Sequence, residues 1–69
     1  MTDHVYKCVE VVGTSHNGSD AAILAALERV RATVRNVRWY EVVGQRGFVE
    51  EGGAIQFQVT LKVGFSLED

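Results

Sequence analysis

The sequence predicts an α+β domain in which a three-stranded antiparallel-type sheet, in strand order 1-3-2, packs on one helix. Two observations carry this prediction: an alternating apolar pattern near the end of the chain, and one helical apolar stripe near its start. With 69 residues, the chain is expected to form a single domain over residues 1–69. The element order is β-α-β-β, with a helical crossover between strands one and two and a hairpin between strands two and three.

The first strand and the helix are predicted at residues 5–12 and 21–35. The stretch 5–12, VYKCVEVV, is rich in valine and therefore typical of a strand. Residues 13–20, GTSHNGSD, are interpreted as a loop that ends in a helix cap at Asn17 or Ser19. The apolar stripe of the helix recurs at spacings of four, three and four, and consists of Ile23, Leu27, Val30 and Val34.

The remaining chain predicts two strands joined by a hairpin. The second strand covers residues 37–43, and Gly44 and Gly47 after it indicate a bulge or bend. Residues 50–53, EEGG, are a hairpin signal. The third strand, residues 54–66, alternates almost without interruption. The apolar set, expected to face the helix, is Ile55, Phe57, Val59, Leu61, Val63 and Phe65.

Composition limits the classes of function. The chain is 46% hydrophobic with a formal net charge of −2, which is typical of a globular protein and disfavours nucleic acid as a partner. The single cysteine, Cys8, cannot form an intrachain disulfide or, with two histidines, a zinc-ligand pattern. The sequence contains no catalytic triad or Gly-rich phosphate motif, so we do not expect an enzyme. It also shows no signal peptide or membrane span, so we expect a cytoplasmic protein without a membrane partner.

The pattern of the second strand predicts self-association. Trp39 and Val43 share one face of this strand, and Tyr40 and Val42 share the other. One helix covers only one face of a sheet, and an uncovered apolar face or an unpaired edge strand usually marks an interface. A chain of this length also has only a small core of its own. We therefore expect a homo-oligomer.

The only tryptophan of the chain, Trp39, has two possible roles. Gln58 points away from the helix in the predicted third strand, and Trp39 can share that face. An indole and a side-chain amide on one open face suit a planar heteroaromatic ligand. In the alternative, Trp39 fills a subunit contact and Gln58 is solvated. Spacing alone favours this alternative, because most aromatic side chains serve packing.

Four stretches resemble the dodecin family in order, spacing and length along almost the whole chain: VYKCVEVVGTS, the alanine-rich helix, NVRWYEVVGQRG and QFQVTLKVGFSLED. Dodecins are small β-α-β-β flavoproteins that form hollow homododecamers. The resemblance implies that stacked flavin pairs bind between Trp39 residues of two-fold-related subunits, with Gln58 at the polar edge of the isoalloxazine. It also implies storage or buffering of FMN, riboflavin or lumichrome, and quenching of the flavin excited state, rather than turnover of a substrate.

Two further residues are candidates for this flavin site. Glu41 lies on the Trp39 face and is expected to hydrogen-bond the ligand or a neighbouring subunit. Arg46, in the glycine-flanked bend, is expected either to approach the ring or a phosphate, or to be a solvated turn residue. Ser66 stands where a basic residue would help to hold the phosphate of FMN, which lowers the expectation of FMN relative to riboflavin.

Two other functions remain open from the residues. One is a cofactor-free oligomeric βαββ module with a structural or protein-binding role. The other is a nucleic-acid binder that stacks bases on Tyr40, Phe48 and Trp39, which the net acidity disfavours. The arginines of the helix are interpreted as a solvated charged face rather than as a site for an anionic metabolite.

Overall fold

The computed structural model describes residues 3–67, which form three strands and one helix. The elements are β1 (Tyr6–Ser15), α1 (Ser19–Thr33), β2 (Val37–Val49) and β3 (Ile55–Ser66). β3 lies in the centre of the sheet and pairs antiparallel with both neighbours, in the order β1-β3-β2. The predicted fold class and strand order are therefore confirmed. Among residues 3–67, no helix has the length and hydropathy needed to cross a membrane.

The hydrophobic core lies between α1 and one face of β3. It consists of Ala22, Ala26, Val30, Val59, Leu61 and Val63. The three β3 members are completely buried, and the alanines of α1 allow the helix backbone to lie close to them. Full burial of one valine or leucine side chain contributes roughly 1.5–3 kcal/mol. Ile55, at the hairpin end of the same face, remains exposed, which shows that the helix covers only part of this face.

β1 is longer than the sequence predicted. Residues 13–15 continue the strand instead of starting the loop, and Gly13 pairs with Val59 of β3. A Cβ at Gly13 would overlap the carbonyl oxygen of Ala22 and lie 2.9 Å from the Cβ of Ala26. Gly13 therefore lies where α1 crosses the strand at close distance. The prediction of a loop was wrong here because the residues around Gly13 have a composition typical of loops.

The ends of α1 also differ from the prediction. The helix begins at Ser19 and its N-cap is Gly18, with φ of 125°. Neither Asn17 nor Ser19 caps it, because the start of the helix has no side-chain cap hydrogen bond. The helix ends at Thr33, and the chain then passes through Asn36, whose φ of 65° is in the left-handed region that asparagine tolerates.

β2 is one continuous strand of 13 residues with two irregularities. Its register with β3 shifts between Val37 and Trp39, and again between Val42 and Gly44. Each shift places one extra residue in β2 and so reverses the face on which the following side chains lie. The predicted bulge near Gly44 is present, but the strand continues through it instead of ending at residue 43.

The β2–β3 hairpin turns at the predicted EEGG segment. The amide of Glu50 donates to the carbonyl of Ala54 at 2.7 Å, and the amide of Gly53 donates to the carbonyl of Glu50 at 2.9 Å. Gly52 and Gly53 have φ values of 94° and 95°, a region that favours glycine. His16 Nε2 lies 3.1 Å from both carboxylate oxygens of Glu50, and this contact joins the β1–α1 loop to the hairpin.

Candidate functional site

One face of the sheet packs on α1, and no element of residues 3–67 covers the other, which we call the open face. Its β3 residues alternate with the core residues and are Gln56, Gln58, Thr60, Lys62, Gly64 and Ser66. Residues of β1 and β2 that pair with these six lie on the same face, because paired residues share a face of an antiparallel sheet. Three of them, Tyr6, Val12 and Phe48, are large apolar residues that remain exposed.

All four residues predicted for the flavin site lie on the open face. Trp39 pairs with Gly64, Glu41 pairs with Lys62, and Arg46 pairs with Gln58. Arg46 is seven positions from Trp39, so strict alternation would turn it toward the helix. The register shift between Val42 and Gly44 reverses this and brings Arg46 to the open face.

The indole of Trp39 lies over the backbone of Gly64. A Cβ on Gly64 would overlap Cε2 and Cζ2 of the indole, so the ring fills the place of a side chain on the central strand. Tyr6 of β1 meets the indole edge to face, with ring centroids 6.1 Å apart and planes at 71°. The Tyr6 ring also stacks with His4 at 6.4 Å. These contacts hold the half-buried indole against the sheet and leave part of its surface accessible.

Trp39 and Gln58 are far apart within one chain, although they share a face. Trp39 lies opposite Gly64, which is six residues from Gln58 along β3. At about 3.3 Å per residue, this separation is about 20 Å. A single three-ring heteroaromatic system is shorter than that and cannot contact both side chains of one chain. A site that uses both residues therefore needs Trp39 from one subunit and Gln58 from another.

The Gln58 end of the open face offers hydrogen-bonding groups and a cation. Gln58 lies between Thr14 of β1 and Arg46 of β2. Its Nε2 donates to Oε1 of Gln56 at 2.8 Å, which leaves its own carbonyl oxygen and a second N–H for a ligand. Arg46 is exposed and has no ion pair within residues 3–67. Phe48 next to it is 56% exposed and adds apolar surface.

Glu41 lies nearer to the indole. It is opposite Lys62, which is two residues from Gly64 along β3, or about 7 Å. Within the described part of the chain, neither Glu41 nor Lys62 forms an ion pair. Glu41 can therefore contact a ligand that stacks on Trp39 of the same chain, whereas Gln58 cannot.

Comparison with known proteins identifies the family. A sequence model of the Dodecin family matches residues 5–68. Dodecin from Thermus thermophilus is 54% identical over 65 residues, which cover 94% of this chain and 94% of that protein. A crystal structure of a Thermus thermophilus protein has a TM-score of 0.88 at 52% identity, over 97% of this chain and 98% of that one.

Two other relatives indicate the same family. The structure of dodecin from Streptomyces coelicolor has a TM-score of 0.90 at 45% identity, over 100% of this chain and 99% of that one. A calcium dodecin from Mycobacterium tuberculosis is 32% identical over 63 residues, which cover 91% of this chain and 89% of the relative. The match extends through all three strands and the helix, and this chain belongs to the dodecin family.

Proposed function

We propose that this protein binds flavin as stacked pairs between two-fold-related subunits of a hollow homododecamer. The observation that carries the proposal is the indole of Trp39, which Gly64 and Tyr6 hold against the uncovered face of the sheet. An indole held in this way is a flat surface on which an isoalloxazine ring can stack. Membership of the dodecin family, in which flavin binding is typical, supports the same ligand.

The proposed role is storage or buffering of flavin and quenching of its excited state in the cytoplasm, without turnover of a substrate. Indole is a good electron donor and an excited flavin is a good acceptor. In van der Waals contact, one electron passes from Trp39 to the excited flavin and then returns, so that both molecules recover their ground state. The cycle consumes no reductant and produces no net chemical change, which suits a protective binding protein.

In this proposal, the two ends of the open face bind different parts of the flavin. Trp39 of one subunit stacks on the isoalloxazine ring, and Gln58 hydrogen-bonds the polar edge of the same ring. Gln58 comes from another subunit, because Trp39 and Gln58 are about 20 Å apart within one chain. Glu41 binds polar groups of the flavin near the indole. Arg46, opposite Gln58, meets a phosphate if the ligand is FMN. Riboflavin and lumichrome need no such contact, so all three flavins are candidates.

The exposed apolar residues of the open face support self-association. Exposed Tyr6, Val12 and Phe48 would be buried when a second subunit covers the open face. A flavin pair between the subunits adds further buried apolar area. Because the ligand binds only the assembled state, it stabilises the assembly by mass action.

One relative in the family is named a calcium dodecin. Calcium takes six to eight oxygen ligands, usually including several carboxylates. Among residues 3–67, no group of three or more His, Cys, Asp and Glu side chains is arranged to hold a metal ion.

A fluorescence titration with the purified protein tests the proposal. Riboflavin and FMN are each titrated with ligand-free protein, and we expect saturable quenching of flavin fluorescence that denaturation reverses. Light scattering measures the mass of the same sample, which we expect to be about twelve times that of the 7.6 kDa chain. Flavin fluorescence that is unchanged by the protein would overturn the proposed ligand. A mass equal to one chain would overturn the proposed assembly.

A further inference from the structure

Two glutamine side chains of β3 hydrogen-bond each other on the open face. Gln56 and Gln58 are two positions apart, so both alternate with the core residues of the strand. Nε2 of Gln58 donates to Oε1 of Gln56 at 2.8 Å, and both residues are half-buried. Within residues 3–67, this is the one hydrogen bond that the side chain of either glutamine forms. Gln56 is therefore the residue that determines how the side-chain amide of Gln58 is turned.

The orientation of the Gln58 amide matters because its two ends differ chemically. The amide oxygen accepts hydrogen bonds, whereas the amide nitrogen donates them. Rotation by half a turn about the last side-chain bond exchanges the two ends without changing the shape of the side chain. In the rotated form, Oε1 of Gln58 would lie against Oε1 of Gln56, so that two acceptors would meet without a proton between them. The acceptor on Gln56 therefore favours one of the two orientations.

The neighbours of Gln58 on the other two strands do not supply this orientation. Thr14 of β1 and Arg46 of β2 are the residues paired with Gln58 across the sheet. Within the part of the chain that the structure describes, neither forms a side-chain hydrogen bond with Gln58. The hydroxyl of Thr14 can donate or accept, so it would not distinguish the two ends of the amide. The restraint on Gln58 therefore comes from its own strand.

We propose that Gln56 is a positioning residue that holds the Gln58 amide with its oxygen and its second N–H toward the imide edge of the flavin. This inference rests on the proposed function. The imide edge has N3–H between two carbonyl oxygens, C2=O and C4=O. The oxygen of Gln58 accepts from N3–H, and its nitrogen donates to one of these carbonyl oxygens, so one amide forms two hydrogen bonds with the ligand. An amide that rotates freely must first be ordered, which lowers the apparent affinity.

Fluorescence titrations of the full-length protein with riboflavin and with 3-methylriboflavin test this role. The second ligand carries a methyl group on N3 and has no proton there to donate to Gln58. Gln56→Met removes the acceptor at a similar side-chain length, and should lower the affinity for riboflavin about two- to tenfold, the scale of ordering one released side chain on binding. The same substitution should leave the affinity for 3-methylriboflavin unchanged. Gln56→Glu should keep the wild-type affinity for riboflavin, because a carboxylate oxygen still accepts from Nε2 of Gln58.

Gln45→Met is the matched control. Gln45 is exposed and pairs with the core residue Val59, so it lies on the helix side of the sheet and the same substitution there should leave riboflavin affinity unchanged. Light scattering measures the mass of each variant, so that affinities are compared between assemblies of the same size. At saturating riboflavin, Gln56→Met should quench as completely as the wild type, because Trp39 is intact.

Three results would overturn the role of Gln56: a riboflavin affinity in Gln56→Met equal to that of the wild type, equal losses of affinity for the two flavins, or a loss in Gln56→Glu as large as that in Gln56→Met. Equal losses for both flavins would indicate a purely structural effect on the site. A wild-type protein that does not quench riboflavin would overturn the proposed function itself. Quenching by the wild type with no change in Gln56→Met would overturn the role of Gln56 alone.

Discussion

The indole of Trp39 occupies the space that a side chain on Gly64 would fill. The two residues are paired across β2 and β3, so an edge-strand tryptophan lies on a central-strand glycine. Without a Cβ at residue 64, the ring can lie against the sheet; with one, the ring would have to move outward. Gly64 therefore determines the position of the stacking surface although it offers no side chain to a ligand.

Replacing Gly64 with alanine is expected to weaken both flavin binding and quenching. The new Cβ overlaps the indole, and overpacking of this kind costs about 1–3 kcal/mol. Riboflavin fluorescence titration measures the affinity, and urea unfolding measures the stability. Gly44→Ala is the control on the same face, because a Cβ at Gly44 meets no atom within 4 Å. Unchanged riboflavin affinity in Gly64→Ala would show that the indole position does not matter for binding.

Replacing Trp39 with alanine should weaken flavin binding by about 1–3 kcal/mol, the usual scale for losing an aromatic stacking partner. The bound flavin should also fluoresce more, because the electron donor is gone. Tyr40→Ala is the matched control, since Tyr40 is an aromatic residue of the same strand that lies on the helix side, near Ile23 and Leu24. An affinity loss in Tyr40→Ala equal to that in Trp39→Ala would remove Trp39 from its proposed role.

The separation of Trp39 and Gln58 by about 20 Å predicts complementation between subunits. Trp39→Ala and Gln58→Ala should each quench riboflavin poorly when produced alone. Mixed assemblies of the two variants should recover quenching, because each mixed pair contains one site with both side chains intact. Quenching is measured at a riboflavin concentration between the dissociation constants of the wild type and the variants.

The control for complementation mixes wild-type chains with chains that carry both substitutions. If each site is built from two subunits, every site in these mixed pairs lacks either Trp39 or Gln58. If each site lies within one chain, the site of the wild-type subunit is intact. We therefore expect less quenching from these mixed pairs than from pairs of the two single variants. The opposite ranking would place Trp39 and Gln58 in a site within one chain.

Replacing Gly13 with alanine is expected to destabilise the fold. The added Cβ would overlap the carbonyl oxygen of Ala22, which is backbone and cannot rotate away, so α1 must shift from β1. We expect a loss of about 1–3 kcal/mol in the free energy of unfolding, measured by urea denaturation at a fixed protein concentration. A midpoint equal to that of Gly44→Ala would contradict the close contact between helix and strand.

The sequence predicted much of the fold because the relevant signals are local. The alternation along β3 identified its buried face, and the EEGG segment identified the hairpin. Predictions failed where a contact distant in sequence decided the structure. Gly13 was interpreted as the start of a loop, but it belongs to a strand and makes room for α1. The prediction of the helix cap failed separately: the N-cap is Gly18, and neither Asn17 nor Ser19 supplies a side-chain cap hydrogen bond.

The amino-acid pattern was enough to predict the β-α-β-β order and the core face of β3, because the periodicity of apolar residues is a local property of the chain. Family motifs in the sequence were enough to select Trp39 and Gln58 as candidate flavin ligands. The position of Arg46 on the open face could be found only from the three-dimensional fold, because the bulge depends on the pairing of β2 with β3. The pairing register also sets the distance between Trp39 and Gln58. Residues on one face of a sheet can be many strand positions apart, so a shared face does not by itself make a shared site.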